Sequence, residues 1–191
     1  MTDFTFTNVT RLFFRRAGPG PPSRRLADRI DSSNERPHTL RMMTDAQDLS
    51  EWFDVVDADD RFLRRERRDI VHRDGLLHRA VHVLVFRSDG SVILQKRSIR
   101  KDTFPGRWDT SCSGHVDAGE RYDQAARREL FEELGIARPA DPEPVFKANA
   151  CPETGMEFVW LYRLHWNGPV DPNPAEIVAV DTLAPDEVDR R

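Results

Sequence analysis

The sequence has few of the features that mark disulfide-rich, membrane-spanning or nucleic-acid-binding proteins. Its two cysteines, Cys112 and Cys151, are too few for a disulfide framework or a four-cysteine zinc site. No apolar run approaches the roughly 20 residues of a membrane-spanning helix. The 29 basic and 33 acidic residues leave a net charge of −4, which indicates no general affinity for nucleic acid. These absences predict a cytoplasmic protein whose partners include neither a membrane nor a nucleic acid.

The chain divides into two parts of unlike composition. Residues 1–48 are rich in arginine, contain a Gly-Pro run at 18–22 and lack apolar periodicity. We expect this part to be either a disordered tail or an extension of the gene model, with the true start at Met42 or Met43. An organelle transit peptide is a further alternative, but the acidic residues in this part argue against it. Residues 49–191 have a suitable length for one domain with its own core.

The second part alternates apolar strand patterns with a few helical ones. Apolar residues flank the acidic turn at 57–60 and predict a hairpin. His78 to Phe86 reads as a buried strand, and Asp89-Gly90 predicts a type I′ turn that leads into a returning strand at 92–97. Further strands are expected near 145–150, 157–166 and 176–180, with short helices at 68–72 and from Pro185. Several strands and few helices in mixed order predict an α+β sandwich.

One pattern of glycines and charged residues is more specific than the rest of the sequence. Gly114 is followed after five residues by Glu120, and seven residues later the chain reads Arg128-Glu-Leu-Phe-Glu-Glu-Leu-Gly-Ile136. A run of glutamates beside an arginine is by itself typical of a solvated helix face. Two glycines and several charged residues at fixed spacing seldom coincide by chance, so the pattern indicates a functional site.

The same pattern predicts a helix that carries clustered carboxylates. Apolar residues at helical spacing indicate a helix from 122 to 134, and Gly135 follows where a C-terminal cap favours a residue with positive φ. At about 100° per residue, Glu129, Glu132 and Glu133 share one sector of this helix. The apolar residues occupy another sector. We therefore expect one face to pack inward and the other to present three neighbouring carboxylates.

Clustered carboxylates repel one another and need a cation to offset the repulsion. Arg128 neutralises part of the charge, and Glu120 is placed to support the cluster from the preceding loop. Oxygen ligands suit Mg²⁺ or Mn²⁺, which bind through one or two carboxylates plus substrate phosphates. The residues therefore predict a divalent-metal site that acts on a phosphorylated substrate.

The pattern is similar to the signature box of the Nudix hydrolases at every fixed position. The resemblance implies an α/β/α sandwich with a mixed central sheet, and Mg²⁺- or Mn²⁺-dependent hydrolysis of a diphosphate linkage in a small-molecule substrate, for instance one linked to a nucleoside diphosphate. It leaves open which glutamate is the general base, and whether the protein is a monomer or a homodimer. It implies catalytic roles for Arg128, Glu129, Glu132 and Glu133, and metal binding by Glu120, Glu129, Glu132, Glu133 and, outside the box, Glu157.

Other segments resemble one branch of this family, which contains isopentenyl-diphosphate isomerase and its hydrolase relatives. The similar segments are 77–80, 94–98 and 104–110. Two features favour hydrolysis over isomerisation: the box is intact, and Ser113 stands where the isomerase has its catalytic cysteine. Cys112 lies one residue earlier, so its side chain would face the opposite side of a regular strand.

Other residues keep the isomerase as the alternative function. His72, His78 and His115 roughly match the histidines of the isomerase metal site. Glu157 resembles the second glutamate of its Glu-x-Glu pair, whereas Gly155 takes the place of the first. A non-catalytic binding module is a third reading, which the intact box disfavours.

Residues around the box are candidates for holding the substrate. Gly114 would let the backbone approach the phosphates, and His115 would contact them. Lys96, Arg97 and Lys101 precede the box and are expected to hold distal phosphate oxygens, although an ordinary exposed strand end explains them equally well. Finally, the aromatic residues Phe104 and Trp108 either stack on the organic part of the substrate or belong to the core.

Overall fold

A computed structural model describes residues 51–101, 103–137 and 139–190, so the expected tail at 1–48 lies outside the described residues. In chain order the elements are β1 Trp52–Val56, β2 Phe62–Arg67, α1 Arg68–Arg73, β3 His78–Phe86, β4 Val92–Arg97, β5 Trp108–Asp109, β6 Cys112–His115, α2 Tyr122–Leu134, β7 Glu143–Ala148, a 3-10 turn Pro152–Thr154, β8 Glu157–His165, β9 Ile177–Leu183 and α3 Pro185–Arg190. Among the described helices, none has the length and apolarity that a bilayer crossing requires.

In the part of the chain that the structure describes, a mixed sheet of seven strands forms the centre of the domain. Its main path runs β5-β4-β3-β8-β7, while β6 pairs with β3 and β9 pairs with β4. Strands β3 and β8 are parallel along their whole length, and the other pairs are antiparallel. The β1–β2 hairpin forms a separate two-stranded sheet.

Helices cover both faces of the central sheet. Alternate residues of β3 point to opposite faces, so Val81 and Val83 pack on one side and Leu84 on the other. The first side meets the apolar stripe of α2, which includes Leu130. The second meets Val188 of α3. The architecture is therefore the α/β/α sandwich with a mixed central sheet that the sequence predicts.

Strands β3 and β4 separate at a defined point in the sheet. They pair only near the end of β3, where Val85 faces Ile93, and β6 takes over as the partner of β3 from residue 83 to residue 80. At the branch, the Ser111 hydroxyl accepts a hydrogen bond from the Val85 N–H and donates one to the Ile93 carbonyl. This side chain satisfies the backbone groups that the separation would leave unpaired.

Helix α2 has the bounds that its apolar spacing predicts. Gly135 caps it with φ +67°, in the left-handed region that favours glycine. The backbone N–H groups of Asp171 and Asn173 donate to the carbonyls of Leu134 and Glu133, each at 2.8 Å. These bonds hold the C-terminal turn of α2 against the segment that leads into β9.

Three expectations about local structure need correction. The β3–β4 connection is not a type I′ turn, because Gly90 has positive φ but Asp89 does not. It is a three-residue loop in which the Gly90 N–H donates to the Arg87 carbonyl at 3.0 Å and the Arg87 N–H to the Ser91 carbonyl at 2.8 Å. The strands expected at 145–150 and 176–180 are shifted, to Glu143–Ala148 and Ile177–Leu183.

The β1–β2 hairpin is fastened to the sandwich through the carboxylate of Asp60. This carboxylate accepts hydrogen bonds from Arg79 Nε at 2.6 Å and from the Tyr122 hydroxyl at 2.9 Å, and it also contacts the Lys147 ammonium. The apolar residues Phe53, Val55, Val71 and Leu76 form a small separate core beneath the hairpin and α1. The hairpin and α1 thus have a fixed position beside the ends of β3 and β6.

Candidate active site

A cavity of about 350 Å³ opens beside the end of β6. Its walls come from the start of β3, the loop after β4, strand β6, helix α2, the 3-10 turn and the segment before β9. The box residues Gly114, Glu129 and Glu132 line it, together with His115 and Glu157. The fold therefore gathers residues that are far apart in the sequence into one concave site.

The three box glutamates of α2 do not form one exposed row. Glu129 and Glu133, one turn apart, are both buried, whereas Glu132 is exposed. The expectation of three neighbouring carboxylates on a single face is therefore wrong. A residue at i−1 lies about 100° around the helix from residue i, so Glu132 turns toward solvent while Glu133 turns toward the sheet.

The Glu133 carboxylate sits in the opening between β4 and β6. Its Oε2 accepts hydrogen bonds from Gln95 Nε2 at 2.9 Å and from the Ser113 backbone N–H at 3.0 Å. Its Oε1 is buried without a hydrogen-bond partner among the described residues. A buried carboxylate oxygen is costly to leave unpaired, so this atom is a natural ligand for a cation.

The Glu129 carboxylate lies directly against the backbone of Gly114. A Cβ added at Gly114 would lie 1.9 Å from Glu129 Oε1, so the carboxylate would have to leave its position. The glycine of the box is therefore required by the space that this carboxylate occupies. Gly114 thus admits the carboxylate to the cavity wall.

Arg128 forms hydrogen bonds that hold the acidic residues of the box in place. It donates to Glu120 at 2.8 and 3.1 Å, to Glu129 at 2.7 Å, to Glu132 at 3.0 Å and to the His115 carbonyl at 2.8 Å. Glu120 also accepts the Asp117 backbone N–H at 3.1 Å, and it lies outside the cavity lining. The contacts of Glu120 therefore orient Arg128.

Burial sets the protonation of the two inner glutamates. Desolvation raises the pKa of Glu129 to about 7, with further increases from Glu132 and Glu176, although Arg128 opposes the shift. Desolvation also raises the pKa of Glu133 well above its usual range, although Lys101 opposes it. Hard oxygen donors in a buried acidic cluster fit a divalent cation, which would stabilise both carboxylates in the charged form.

A second cluster of candidate ligands adjoins the first. Ring nitrogens of His72, His78 and His115 lie within 4.8 Å of one another. Glu157 Oε1 is 3.2 Å from His115 Nε2 and 3.5 Å from His78 Nε2. The Phe53 ring stacks on His78 and His115 at centroid distances of 5.7 and 4.7 Å. Three imidazoles and one carboxylate are a donor set that suits a transition-metal ion.

The hydrogen bonds of the two stacked histidines fix their orientation. His78 Nδ1 lies 2.9 Å from the Leu76 carbonyl, which can only accept, so Nδ1 carries the proton. Arg68 donates to His115 Nδ1 at 3.2 Å, which leaves Nε2 toward Glu157. Burial lowers the pKa of His115 to about 3 although Glu157 opposes the shift. Burial by itself would raise the pKa of Glu157, but its interactions with His115 and His78 outweigh the burial and lower this pKa.

Comparison with known proteins identifies the family. The NUDIX domain model matches residues 76–191, which is more than half of the chain. The chain belongs to the Nudix family. An uncharacterized Nudix hydrolase of Yersinia pestis is 33% identical over 144 residues, which cover 74% of this chain and 77% of that protein. An isopentenyl-diphosphate delta-isomerase of Burkholderia multivorans is 36% identical over 128 residues, which cover 65% of this chain and 73% of that protein.

Solved structures agree with this assignment at the level of the fold. A crystal structure of a Deinococcus radiodurans protein superposes with a TM-score of 0.63 at 27% identity, over 72% of this chain and 86% of that one. The MutT protein of Methanosarcina mazei superposes with a TM-score of 0.51 at 21% identity, over 57% of this chain and 78% of that one.

Cys112 of this Nudix chain does not have the position that a catalytic cysteine of the isomerase would require. The register between β6 and β3 is continuous from His115 to Cys112, so the strand has no bulge to turn Cys112 around. Cys112 is fully buried in the core beneath α2, and desolvation raises its thiol pKa well above the usual range. Ser113 lines the cavity instead. Cys112 is therefore a buried apolar residue, as its place in the sequence suggests.

The predicted phosphate-binding residues have different positions. Lys96 lies outside the cavity lining. The pairing of β4 with β9 is irregular between Lys96 and the next residue, Arg97. Arg97 lines the cavity, where it donates to Asp109 at 3.4 Å and to the Thr103 carbonyl at 3.1 Å. Lys101 also lines the cavity, and its side chain is nearly buried. The expectation that Lys96 binds substrate is therefore not supported.

The two aromatic candidates also differ in whether they line the cavity. Trp108 is buried in the core and lies outside the cavity lining. Phe104 lines the cavity, is 41% exposed and has φ +48°, which is unusual for a residue other than glycine. Only Phe104 is therefore placed to contact a bound substrate.

Sequence reasoning did not find three further residues of the cavity wall, Glu176, His82 and Arg68. Glu176 accepts a hydrogen bond from Lys101 Nζ at 2.6 Å. His82 is buried, with Nδ1 2.9 Å from the Thr110 hydroxyl, and desolvation lowers its pKa. These residues belong to no local motif, because only the tertiary fold brings them to the site.

Proposed function

We propose that this Nudix protein is a divalent-metal-dependent hydrolase that cleaves a diphosphate linkage in a small molecule, such as a substrate linked to a nucleoside diphosphate. The observation that carries the proposal is the pair of buried carboxylates of Glu129, which lines the cavity, and Glu133, whose Oε1 has no hydrogen-bond partner among the described residues. Such a pair is unfavourable without a cation and well suited to one. Membership of the family supports the same chemistry.

The residues have distinct roles in the proposed reaction. Glu129 and Glu133 hold Mg²⁺ or Mn²⁺, which when bound polarises a phosphoryl oxygen and lowers the pKa of water. Glu132, at the mouth of the cavity, is either a further ligand or the residue that positions water. Arg128 orients Glu129 and Glu132 through charge-assisted hydrogen bonds. Glu120 supports this arrangement through Arg128.

The walls of the cavity supply the contacts for the substrate. The phosphates approach the backbone at Gly114 beside His115, and Arg97 lies nearby, with its guanidinium 3.4 Å from Ser113 Oγ. Glu157 is a second candidate for metal binding or for the general base. Phe104 lies at the rim, where the organic part of the substrate would emerge.

The experiment is phosphate release with Mg²⁺ from a panel of nucleotides, nucleotide sugars and isopentenyl diphosphate. We expect turnover of a nucleotide-type substrate that Glu133→Gln reduces at least about 1,000-fold, because the variant removes a charged ligand at constant shape. Glu143→Gln is the matched control, since Glu143 is exposed at the start of β7 and outside the cavity. Mg²⁺-dependent turnover that survives in Glu133→Gln would refute the proposal.

Isopentenyl-diphosphate isomerisation is the second candidate function. It is favoured by the cluster of His72, His78, His115 and Glu157, which roughly matches the histidines and one glutamate that the resemblance implies for an isomerase site. It is opposed by Cys112, whose thiol faces the core. Isomerisation of isopentenyl diphosphate without phosphate release, lost in Glu157→Gln, would establish this function in place of hydrolysis.

Three wider assignments accompany the proposal. We propose that residues 49–191 form the hydrolase domain, that it acts in the cytoplasm, and that it works as a monomer or a homodimer. Limited proteolysis tests the domain boundary near residue 49, and light scattering of the full chain decides between the two oligomeric states.

A further inference from the structure

Lys101 is placed inside the acidic part of the cavity. Its side chain is 12% exposed and lies between Glu176 and Glu133. The ammonium Nζ is 2.6 Å from Glu176 Oε2 and 3.9 Å from Glu133 Oε1. The second distance is too long for a hydrogen bond, so Lys101 neutralises Glu133 without satisfying its buried oxygen.

The backbone holds Lys101 and Glu176 together. The Ser98 N–H donates to the Glu176 carbonyl at 2.7 Å, and the Lys101 N–H donates to the Ser98 carbonyl at 3.2 Å. Asn173 Nδ2 donates to Glu176 Oε1 at 3.3 Å, which leaves Oε2 for the ammonium. The position of the lysine is therefore built into the contact between the loop after β4 and the start of β9.

The other cations of the cavity wall have different partners. Arg128 is committed to Glu120, Glu129 and Glu132, while Arg97 is paired with Asp109 and Arg68 with Glu51. Among the described residues, Lys101 is thus the cation that faces the unsatisfied oxygen of Glu133. An ammonium on a flexible stem can also leave such a position, unlike a guanidinium held in a fork of hydrogen bonds.

We propose that Lys101 is a resident counter-cation of the Glu133–Glu176 pair, which a divalent metal displaces when it binds. The inference rests on the proposed metal site. In the metal-free protein the ammonium offsets part of the charge of the two carboxylates. When the metal binds, electrostatic repulsion moves Lys101 away from Glu133 and toward the cavity, where its charge is available to a substrate phosphate.

The first test compares Mn²⁺ binding to the full-length wild-type protein and to Lys101→Met by electron paramagnetic resonance. Removing the competing charge should tighten Mn²⁺ binding by roughly tenfold, within the usual range of coupling between two sites. The same variant should raise KM for the substrate. Arg100→Met is the matched control, because Arg100 is exposed and outside the cavity lining, and it should leave Mn²⁺ affinity unchanged. Lys101→Gln repeats the test if the Met variant does not fold.

A second measurement follows the movement of the lysine itself. Acylation of the Lys101 amine, quantified by peptide mass spectrometry, should become faster when Mg²⁺ is added to the wild type. It should not change in Glu133→Gln. Equal rates in the wild type with and without Mg²⁺ would overturn the displacement.

The outcomes separate this inference from the proposed function. If neither the wild type nor Lys101→Met binds Mn²⁺, the proposed metal site is wrong. If the wild type binds Mn²⁺ and Lys101→Met binds it equally or more weakly, only the role of Lys101 is overturned.

Discussion

At the scale of single residues, Gly114 illustrates a constraint that comes from space and not from backbone conformation. Its φ lies outside the left-handed region, so alanine fits the backbone, but the new Cβ would overlap the Glu129 carboxylate. We expect Gly114→Ala to fold and to displace Glu129, with a loss of Mn²⁺ affinity on the order of 100-fold. Electron paramagnetic resonance measures the affinity, and circular dichroism checks the fold. Unchanged Mn²⁺ affinity in the folded variant would show that Glu129 is not a ligand.

The raised pKa of Glu129 predicts a pH dependence of stability in the metal-free protein. Its pKa rises from 4.5 to about 7 on folding, mainly through burial. Between these values the folded state binds a proton that the unfolded state has released, so stability is full below pH 4.5 and falls as pH rises through 7. The wild type should lose about 3 kcal/mol relative to Glu129→Gln over this window. Urea unfolding with EDTA at pH 5 and pH 8 measures the difference, and parallel pH profiles would contradict it.

The residues of the site differ in how far the sequence reveals them. Glu129 and Glu133 are predictable because one helix and its spacing fix their relation. The exposure of Glu132 is not, since it depends on which side of α2 meets the sheet. Glu176 was missed because only the pairing of β4 with β9 brings it to Lys101.

At the scale of elements, the C-terminus of α2 depends on Gly135 for two reasons. Its φ is +67°, and a Cβ there would lie 2.9 Å from Asp171 Cβ. Gly75 is a matched control with φ +60° and open space around it. We expect Gly75→Ala to cost about 1–2 kcal/mol of stability from the backbone alone. Gly135→Ala should cost a further 1–3 kcal/mol or so from overpacking.

Chemical denaturation of Gly75→Ala and Gly135→Ala measures both losses of stability. Because Asn173 contacts the Glu133 carbonyl, Gly135→Ala should also weaken Mn²⁺ binding, whereas Gly75→Ala should not. Equal losses of stability in the two variants would mean that the segment at 171–173 adapts to the extra methyl group.

Elements with a strong periodic pattern were predicted closely, and irregular ones were not. Strand β3 and helix α2 have the predicted bounds because each has a continuous apolar repeat. The turn at Asp89-Gly90 was mistaken because the dipeptide alone does not fix the loop length. The irregularity between Lys96 and Arg97 has no sequence signal, and it separates one residue that lines the cavity from one that does not.

At the scale of the whole molecule, the cavity is built from two parts of the chain. The family match begins at residue 76, whereas Phe53, Arg68 and His72 come from the hairpin and α1 before it. Arg68 lines the cavity and donates to His115, and Phe53 stacks on the same ring. The histidine cluster therefore requires the hairpin and α1 to stay docked on the sandwich.

Docking of the hairpin should depend on Asp60. Its side chain is 8% exposed and contacts Arg79, Tyr122 and Lys147. Asp60→Ala leaves two cations without their shared partner, so it should cost about 3–5 kcal/mol. Asp59 is the neighbouring control, because its ion pair with Arg61 is 67% and 74% exposed and should contribute about 1 kcal/mol or less.

The Asp60→Ala substitution should destabilise the hairpin more than the rest of the domain. Hydrogen exchange of the β1–β2 amides should accelerate more than that of β3 and β8, because the hairpin has its own small core and its own sheet. A transition metal held by His72, His78 and His115 should bind more weakly in this variant than in Asp59→Ala, since an opened hairpin carries Phe53 away from the cluster. Equal increases of hydrogen exchange in the hairpin and in β3 would contradict this prediction. They would mean that the hairpin and the sandwich unfold as one cooperative unit, and that Asp60 stabilises the whole domain and not the hairpin alone.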